Sequence, residues 1–110
     1  MKENNVEPGG MPGTVVELEA PELALAPPSM YRVMLHNDDY TSMEFVVLVL
    51  KKFFKLDHAK AISIMHEVHV KGVAVAGVYT LDIAETKVSQ VTEFSRAHQF
   101  PLLCTVQKVE

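Results

Sequence analysis

The sequence predicts an α+β domain in which helices cover one face of a small sheet. Two observations carry this prediction. Strand-like and helix-like segments follow one another in the order β-α-α-β-α-β, without the regular alternation of a parallel α/β fold. The chain also has only 110 residues, of which 48% are hydrophobic, so it can bury one modest core and has no room for a second domain.

The first strand is indicated by side chains that alternate with a period of two residues. From residue 31 to residue 36, the side chains of Tyr31, Val33 and Leu35 alternate with those of Arg32, Met34 and His36. This period is typical of a strand. The acidic stretch "HNDDYTSMEF" follows at its end.

Two helices are predicted next from their capping residues. Thr41 and Glu44 have the spacing of a capping box, so a helix should begin there and run through "MEFVVLVLKKFF" to about Lys55. The valines of this run also suit a strand, which leaves that alternative open. Asp57 can cap a second helix, "HAKAISIMHEVHVK", which Gly72 can end in the left-handed conformation.

The remaining elements are a strand, a helix and a strand. The segment "GVAVAGVYTL" is apolar on both faces, which predicts a central strand. A third helix should start around residues 80–82 and end at Pro101, before a last strand in "LLCTVQKV". The residues of this helix expected to face the core are Ile83, Val88, Val91 and Phe94.

Residues 1–28 are predicted to form a flexible, acidic, proline-rich extension before the domain at residues 29–110. The extension holds five of the six prolines, and its five glutamates against Lys2 account for the whole formal net charge of −4. The domain is therefore electroneutral and lacks the basic surface of a nucleic-acid binder. No segment approaches the ~20 apolar residues of a membrane span. The single cysteine, Cys104, favours a reducing compartment, so we expect a cytoplasmic protein.

An acidic cluster precedes the first helix. Asn37, Asp38 and Asp39 offer mainly hydrogen-bond acceptors and lie near the positive end of that helix, which keeps the carboxylates ionised. Such clusters are common in turns, where their side chains cap backbone groups, and spacing alone favours that role here.

Two patches on the helices can complete a pocket. Met65, Val68 and His69 lie on one face of the second helix, and Met43 and Val46 are one turn apart on the first. If the patches face each other, they form an apolar pocket with a polar mouth. The alternative is that the apolar members are plain core.

Catalytic and metal-binding interpretations have less support. His66 and His69, with His36, Asp38 or Asp39, could be imagined around zinc, but no H-E-x-x-H motif is present and Cys104 stands alone. No serine lies in a nucleophile motif, and "GVAVAG" lacks the lysine and spacing of a phosphate loop.

Four blocks of the sequence together resemble the ClpS family of adaptors. They are "PPSMYRVMLHNDDYTSMEFV", "MHEVHVKGVAVAGVYT", "AETKV" and "HQFPLLCTV", and the likeness extends from Pro27 to Lys108. It implies a three-stranded antiparallel sheet with three helices, similar to the C-terminal domain of ribosomal stalk proteins. It also implies an adaptor that uses no cofactor and performs no chemistry. Such an adaptor binds N-degron substrates, which begin with a free Leu, Phe, Tyr or Trp, and delivers them to the ClpA unfoldase of the ClpAP protease.

The resemblance also implies roles for individual residues. Those expected to hold the α-amino group are Asn37, Asp38, Asp39 and His69. Those expected to line the hydrophobic pocket are His36, Thr41, Met43, Val46, Met65, Val68 and Leu102, with Met43 as a gate against β-branched side chains. Those expected to dock the N-terminal domain of ClpA are Asp82, Thr86 and Lys87.

Three positions depart from the family pattern. Ser42 replaces an expected proline, which should loosen the start of the first helix slightly. His36 stands at a position that is usually apolar, so it should narrow side-chain preference or add a pH-dependent contribution. Asp82 replaces an expected glutamate and keeps the charge with a shorter reach. Besides the adaptor, two other functions stay open on the sequence: a generic interaction module of stalk-protein-like fold and a small metal-binding protein.

Overall fold

The computed structural model describes residues 27–110, which form six elements in the predicted order. Their bounds are β1 Tyr31–His36, α1 Met43–Phe54, α2 His58–Lys71, β2 Val73–Tyr79, α3 Leu81–Ala97 and β3 Leu103–Lys108. The α+β fold with a three-stranded antiparallel sheet is thus confirmed. The predicted extension, residues 1–28, lies outside the described residues except for its last two. Among the helices of residues 27–110, none has the length and hydrophobicity needed to cross a membrane.

The strand order is β2-β1-β3, so β1 is the central strand and pairs antiparallel with both neighbours. The prediction that residues 73–79 form the centre was wrong. Only the inward face of β2 is covered: Ala74 and Ala76 are buried, whereas Val75 and Val78 are exposed on the face that no helix of residues 27–110 covers. An apolar outward face on an edge strand gives the same sequence pattern as a strand buried on both sides.

Side-chain caps fix the helix boundaries. The Ser42 hydroxyl accepts a hydrogen bond from the backbone N–H of Phe45 at 3.1 Å, so the cap of α1 is Ser42 and not the predicted Thr41. The predictions for α2 are confirmed: the Asp57 carboxylate accepts from the N–H of Lys60 at 2.8 Å, and Gly72 ends the helix with φ +89°. Ser42, which was expected to loosen the start of α1 because it stands in place of an expected proline, thus supplies the cap of that helix.

The core lies between the sheet and the helices. Its largest fully buried apolar side chains come from β1, α1 and α3: Val33, Leu35, Val49, Leu50 and Val91. The inward face predicted for α3 was wrong at one position, because Ile83 is 46% exposed and its neighbour Ala84 is buried instead. The helix was predicted to end at Pro101, but it ends at residue 97. Gln99, two residues later, takes a left-handed conformation with φ +64°.

Ser95 is a polar residue buried in this core. Its side chain is 1% exposed, and its hydroxyl has no hydrogen-bond partner among residues 27–110. We expect Ser95→Ala to raise the free energy of unfolding by about 1 kcal/mol, because a buried unpaired hydroxyl costs more than it contributes. Urea denaturation measures the change. Ser89→Ala, at an exposed site on the same helix, is the control for helix propensity, and an equal gain in both variants would contradict the prediction.

Candidate functional site

The turn between β1 and α1 is organised by Asp38. Its carboxylate accepts hydrogen bonds from the backbone N–H of Tyr40 at 2.8 Å, the N–H of Thr41 at 2.7 Å and the Thr41 hydroxyl at 2.8 Å. Burial alone would raise the pKa of Asp38, but these three bonds outweigh it and hold the pKa below its ordinary value of 3.8. The turn-capping interpretation is therefore correct for Asp38. The side chains of Asn37 and Asp39 are exposed and make no hydrogen bond within residues 27–110.

The turn should lose stability when the Asp38 carboxylate is removed. We expect Asp38→Ala to lower the free energy of unfolding at pH 7 by about 1–2 kcal/mol, as for loss of a helix cap. Because the folded-state pKa is lowered, the carboxylate stabilises the fold above its unfolded-state pKa, and this stabilisation disappears as the pH falls through the folded-state pKa. Urea titrations at decreasing pH should show the wild type and the variant converging. Asp39→Ala is the matched control, and an equal loss in that variant would contradict the assignment.

A backbone contact fixes this turn beside the end of α2. The N–H of Asn37 donates to the carbonyl of Gly72 at 2.9 Å, and the N–H of Gly72 donates to the carbonyl of Val68 at the same distance. The left-handed glycine thus turns the chain from α2 into β2 and also holds the acidic turn. His69, in the last turn of α2, consequently lies across from Asn37 and Asp39.

A cleft of about 410 Å³ opens between the turn, the start of α1 and the end of α2. It is lined by nine of the residues predicted for the site: Asn37, Asp38, Asp39, Thr41, Met43, Val46, Met65, Val68 and His69. Tyr40 and Ser42 line it as well and were not predicted. The floor consists of buried side chains at the edge of the core, Val46, Met65 and Val68, while Met43 is 43% exposed. The polar lining residues Asn37, Asp38, Asp39 and His69 form the mouth of the cleft, above this apolar floor.

Two predicted pocket residues lie elsewhere. His36 points to the face of the sheet opposite the three helices, because its neighbour Leu35 points into the core, and its Nε2 is 2.8 Å from the Thr105 hydroxyl. Leu102 is 4% exposed and belongs to the core cluster. Neither lines the cleft.

Charges around the mouth favour a cation. The positive end of α1 faces the cleft and opposes this, whereas the carboxylates of Asp38 and Asp39, which line the cleft, favour it. The structure reveals a second negative contribution. Helix α2 ends at Lys71, so its negative end, with the backbone carbonyls of its last turn, lies beside His69. The two carboxylates and the negative end of α2 therefore act together against the positive end of α1.

The metal-binding alternative receives no support from the described part of the chain. Within residues 27–110, no three His, Cys, Asp or Glu side chains are grouped as metal ligands would be. Cys104 is buried, and burial raises the pKa of its thiol to about 12, so it offers no thiolate for a metal or a substrate.

The three residues predicted for docking lie on the first two turns of α3. The Asp82 carboxylate accepts from the Thr80 hydroxyl at 2.8 Å, which lowers the pKa of Asp82, and the Thr86 hydroxyl donates to the backbone carbonyl of Asp82 at 3.0 Å. Lys87 Nζ donates to the carbonyl of Phe53 at 2.7 Å, which ties this surface to the end of α1. Asp82 and Thr86 are exposed, and Lys87 is half-buried.

Comparison with known proteins identifies the family. Residues 26–105 match the family model described as "ATP-dependent Clp protease adaptor protein ClpS". The chain belongs to the ClpS family. It is 51% identical over 92 residues to the ClpS of Vibrio atlanticus, an alignment that covers 84% of this chain and 87% of that relative. It is 60% identical over 83 residues to the ClpS of Roseobacter denitrificans, covering 76% of this chain and 74% of the relative.

A solved ClpS structure resembles the fold described above. It is ClpS2 of Agrobacterium tumefaciens bound to L-phenylalaninamide, which is 41% identical to this chain with a TM-score of 0.73. The match covers 76% of this chain and all of that one. Because ClpS is a family of protease adaptors, the prediction that the chain is an adaptor and not an enzyme is confirmed, with the Clp protease as its class of partner.

Proposed function

We propose that the chain is an N-degron adaptor. It binds proteins that begin with a free Leu, Phe, Tyr or Trp and delivers them to the ClpA unfoldase of the ClpAP protease. The observation that carries the proposal is one cleft in which exposed hydrogen-bond acceptors stand above a buried apolar floor. That pairing matches the two features that distinguish such an N-terminal residue, a charged amine and a large apolar side chain.

The mouth binds the α-amino group. An ammonium has three N–H donors, and acceptors are available on Asn37, Asp39 and neutral His69, each charge-assisted bond contributing about 1.5–3 kcal/mol. Asp38 keeps its carboxylate on the turn and contributes negative charge. When the α-amino group is bound there, the side chain of the substrate's first residue points to the floor.

The floor binds the side chain of the first residue. Burying a Leu or Phe side chain there contributes a further ~1.5–3 kcal/mol. After the costs of ordering the peptide, the two contributions reach about −8 kcal/mol, a micromolar affinity from little more than one residue. Met43, at the edge of the cleft, excludes side chains branched at Cβ. The ligand of the Agrobacterium relative supports this proposal, since L-phenylalaninamide combines a free amino group with a phenylalanine side chain.

Delivery uses a surface away from the cleft. We assign ClpA docking to Asp82, Thr86 and Lys87 at the start of α3, with the acidic extension, residues 1–28, engaging the unfoldase during delivery. A cytoplasmic location fits this partner and the single cysteine. Lys87→Ala should weaken binding to the isolated N-terminal domain of ClpA and leave peptide binding unchanged.

Titration with fluorescent peptides that differ only in their first residue tests the proposal. Anisotropy should show micromolar or tighter binding for Leu, Phe, Tyr and Trp, and at least tenfold weaker binding for Val, Ile and Asp. A generic interaction module of stalk-protein-like fold predicts no such selectivity, so equal affinities would overturn the proposal. Stoichiometric zinc uptake in equilibrium dialysis would instead support the metal-binding alternative.

A further inference from the structure

A second apolar cavity adjoins the cleft along the groove between α1 and α2. Its volume is about 360 Å³, and it is lined by Met43, Glu44, Val47, His58, Ile62 and Met65. Two of these, Met43 and Met65, also line the cleft, so the two spaces share a wall one side chain thick. The floor is apolar, and the exposed Glu44 and His58 stand at the rim.

The order of residues along α2 relates the two spaces. His69, Met65, Ile62 and His58 occupy successive turns of one helix face, about 5.4 Å apart. The amino-group site at His69, the cleft and the second cavity therefore follow one another in line. Helices α1 and α2 run antiparallel, because the start of α1 lines the cleft with the end of α2, whereas Lys51 Nζ near the end of α1 lies 3.3 Å from His58 Nδ1 at the start of α2.

A substrate bound by its amino terminus presents its side chains with a matching spacing. In an extended peptide, side chains alternate sides and the backbone rises about 3.3 Å per residue, so the first and third residues point the same way about 6.6 Å apart. If the first side chain enters the cleft and the chain follows the groove, the second side chain points to solvent. The third then points back into the groove beyond Met43.

We propose that the second cavity is a subsite for the third residue of the substrate and favours an aliphatic side chain there; this rests on the proposed N-degron function. Val47 and Ile62 form the floor, with Val47 9% exposed, and bury the added side chain. The Glu44 carboxylate at the rim disfavours Asp and Glu at that position. The adaptor thus distinguishes among substrates that share the same first residue.

Peptides that begin Leu-Ala-Ala, Leu-Ala-Leu and Leu-Leu-Ala, otherwise identical, test the subsite by anisotropy. Leu-Ala-Leu should bind about fivefold more tightly than Leu-Ala-Ala, because an aliphatic side chain is partly buried, whereas Leu-Leu-Ala should gain less than twofold. Equal affinities for the three peptides would overturn the subsite and leave the proposed function intact. If even Leu-Ala-Ala fails to bind, the proposed function itself fails.

Variants locate the effect. Ile62→Ala should abolish the advantage of Leu-Ala-Leu and leave the affinity for Leu-Ala-Ala unchanged, since Ile62 does not line the cleft; that unchanged affinity also shows that the variant is folded. Ile62→Leu should keep the advantage. Leu48→Ala is the matched control, because Leu48 is a 45% exposed residue of α1 that lines neither space. Retention of the full advantage in Ile62→Ala would place the third residue elsewhere and overturn the proposal.

Discussion

Asp39→Ala is expected to abolish binding of a peptide that begins with Leu. The carboxylate of Asp39 makes no hydrogen bond within the described residues, so its acceptors are free for the ammonium. Losing a charge-assisted bond at the mouth should cost at least tenfold in affinity, and loss of the negative charge adds to this. Anisotropy titration of the variant with a labelled Leu-starting peptide measures the effect.

The control for Asp39→Ala is Glu85→Ala, which removes an exposed carboxylate of α3 away from the cleft. Glu85→Ala changes the net charge of the protein by the same amount as Asp39→Ala. Because Glu85 does not line the cleft, this variant should bind the Leu-starting peptide with wild-type affinity. If Asp39→Ala keeps its affinity within about threefold of the wild type, Asp39 does not bind the amine.

Acetylation of the substrate's amino terminus is expected to have an effect at least as large. The acetyl group removes the positive charge and two of the three N–H donors, so the acceptors of Asn37, Asp39 and His69 are left facing a neutral amide. The affinity should fall by about a hundredfold or more, the size expected when charge-assisted bonds are lost and polar groups go unpaired. Competition of unlabelled peptides against a labelled one measures it.

The appropriate control for acetylation is the same peptide acetylated on an internal lysine. It carries the same added group and the same change in charge, but it keeps its free amino terminus, so it should compete as well as the unmodified peptide. Comparable competition by the terminally acetylated peptide would show that only the side chain is recognised.

The fold was largely predictable because its elements have local signals. Asp57 and Gly72 mark the ends of α2 through their own hydrogen bonds and backbone preferences, which need no tertiary information. The position of β2 was not predictable in this way. Whether an apolar strand lies at the centre or the edge of a sheet depends on which strands pair with it, and Val75 looks the same in either case.

The start of α1 shows how close two local signals can be. Thr41 and Ser42 are both good N-cap residues, one position apart. The Thr41 hydroxyl donates to the Asp38 carboxylate, and its backbone N–H does the same, so Thr41 belongs to the turn. Ser42 is left to cap the helix. The Asp38 side chain, three residues before Thr41, therefore decides which of the two residues caps α1.

The cleft was predictable in part. Met65, Val68 and His69 form a patch that helical periodicity reveals, but only packing shows that this patch faces the acidic turn. The contact that brings them together is the backbone bond from Asn37 to Gly72, which carries no side-chain signature. His36 was misplaced because the resemblance to the family gives a position in the sequence and not the face of the strand to which the side chain points.

Tyr40 could have been found from the sequence. It follows directly after the acidic cluster in a turn, where an aromatic ring has little core to enter, and it is 78% exposed at the edge of the cleft. Aromatic side chains exposed beside polar clusters are common at binding sites. The residues proposed for docking on α3 carry no comparable signal, since Thr86 and Lys87 are common residue types in any amphipathic helix.

A crystal structure of the protein in complex with L-phenylalaninamide tests the central claim most directly. That claim is that one cleft captures a free amine and its neighbouring apolar side chain together. We expect the amino nitrogen within about 3.2 Å of acceptor atoms of Asp39 and its neighbours, and the ring against Val46, Met65 and Val68. A ligand bound outside this cleft, or bound in it with the amine directed away from the acidic turn, would contradict the account.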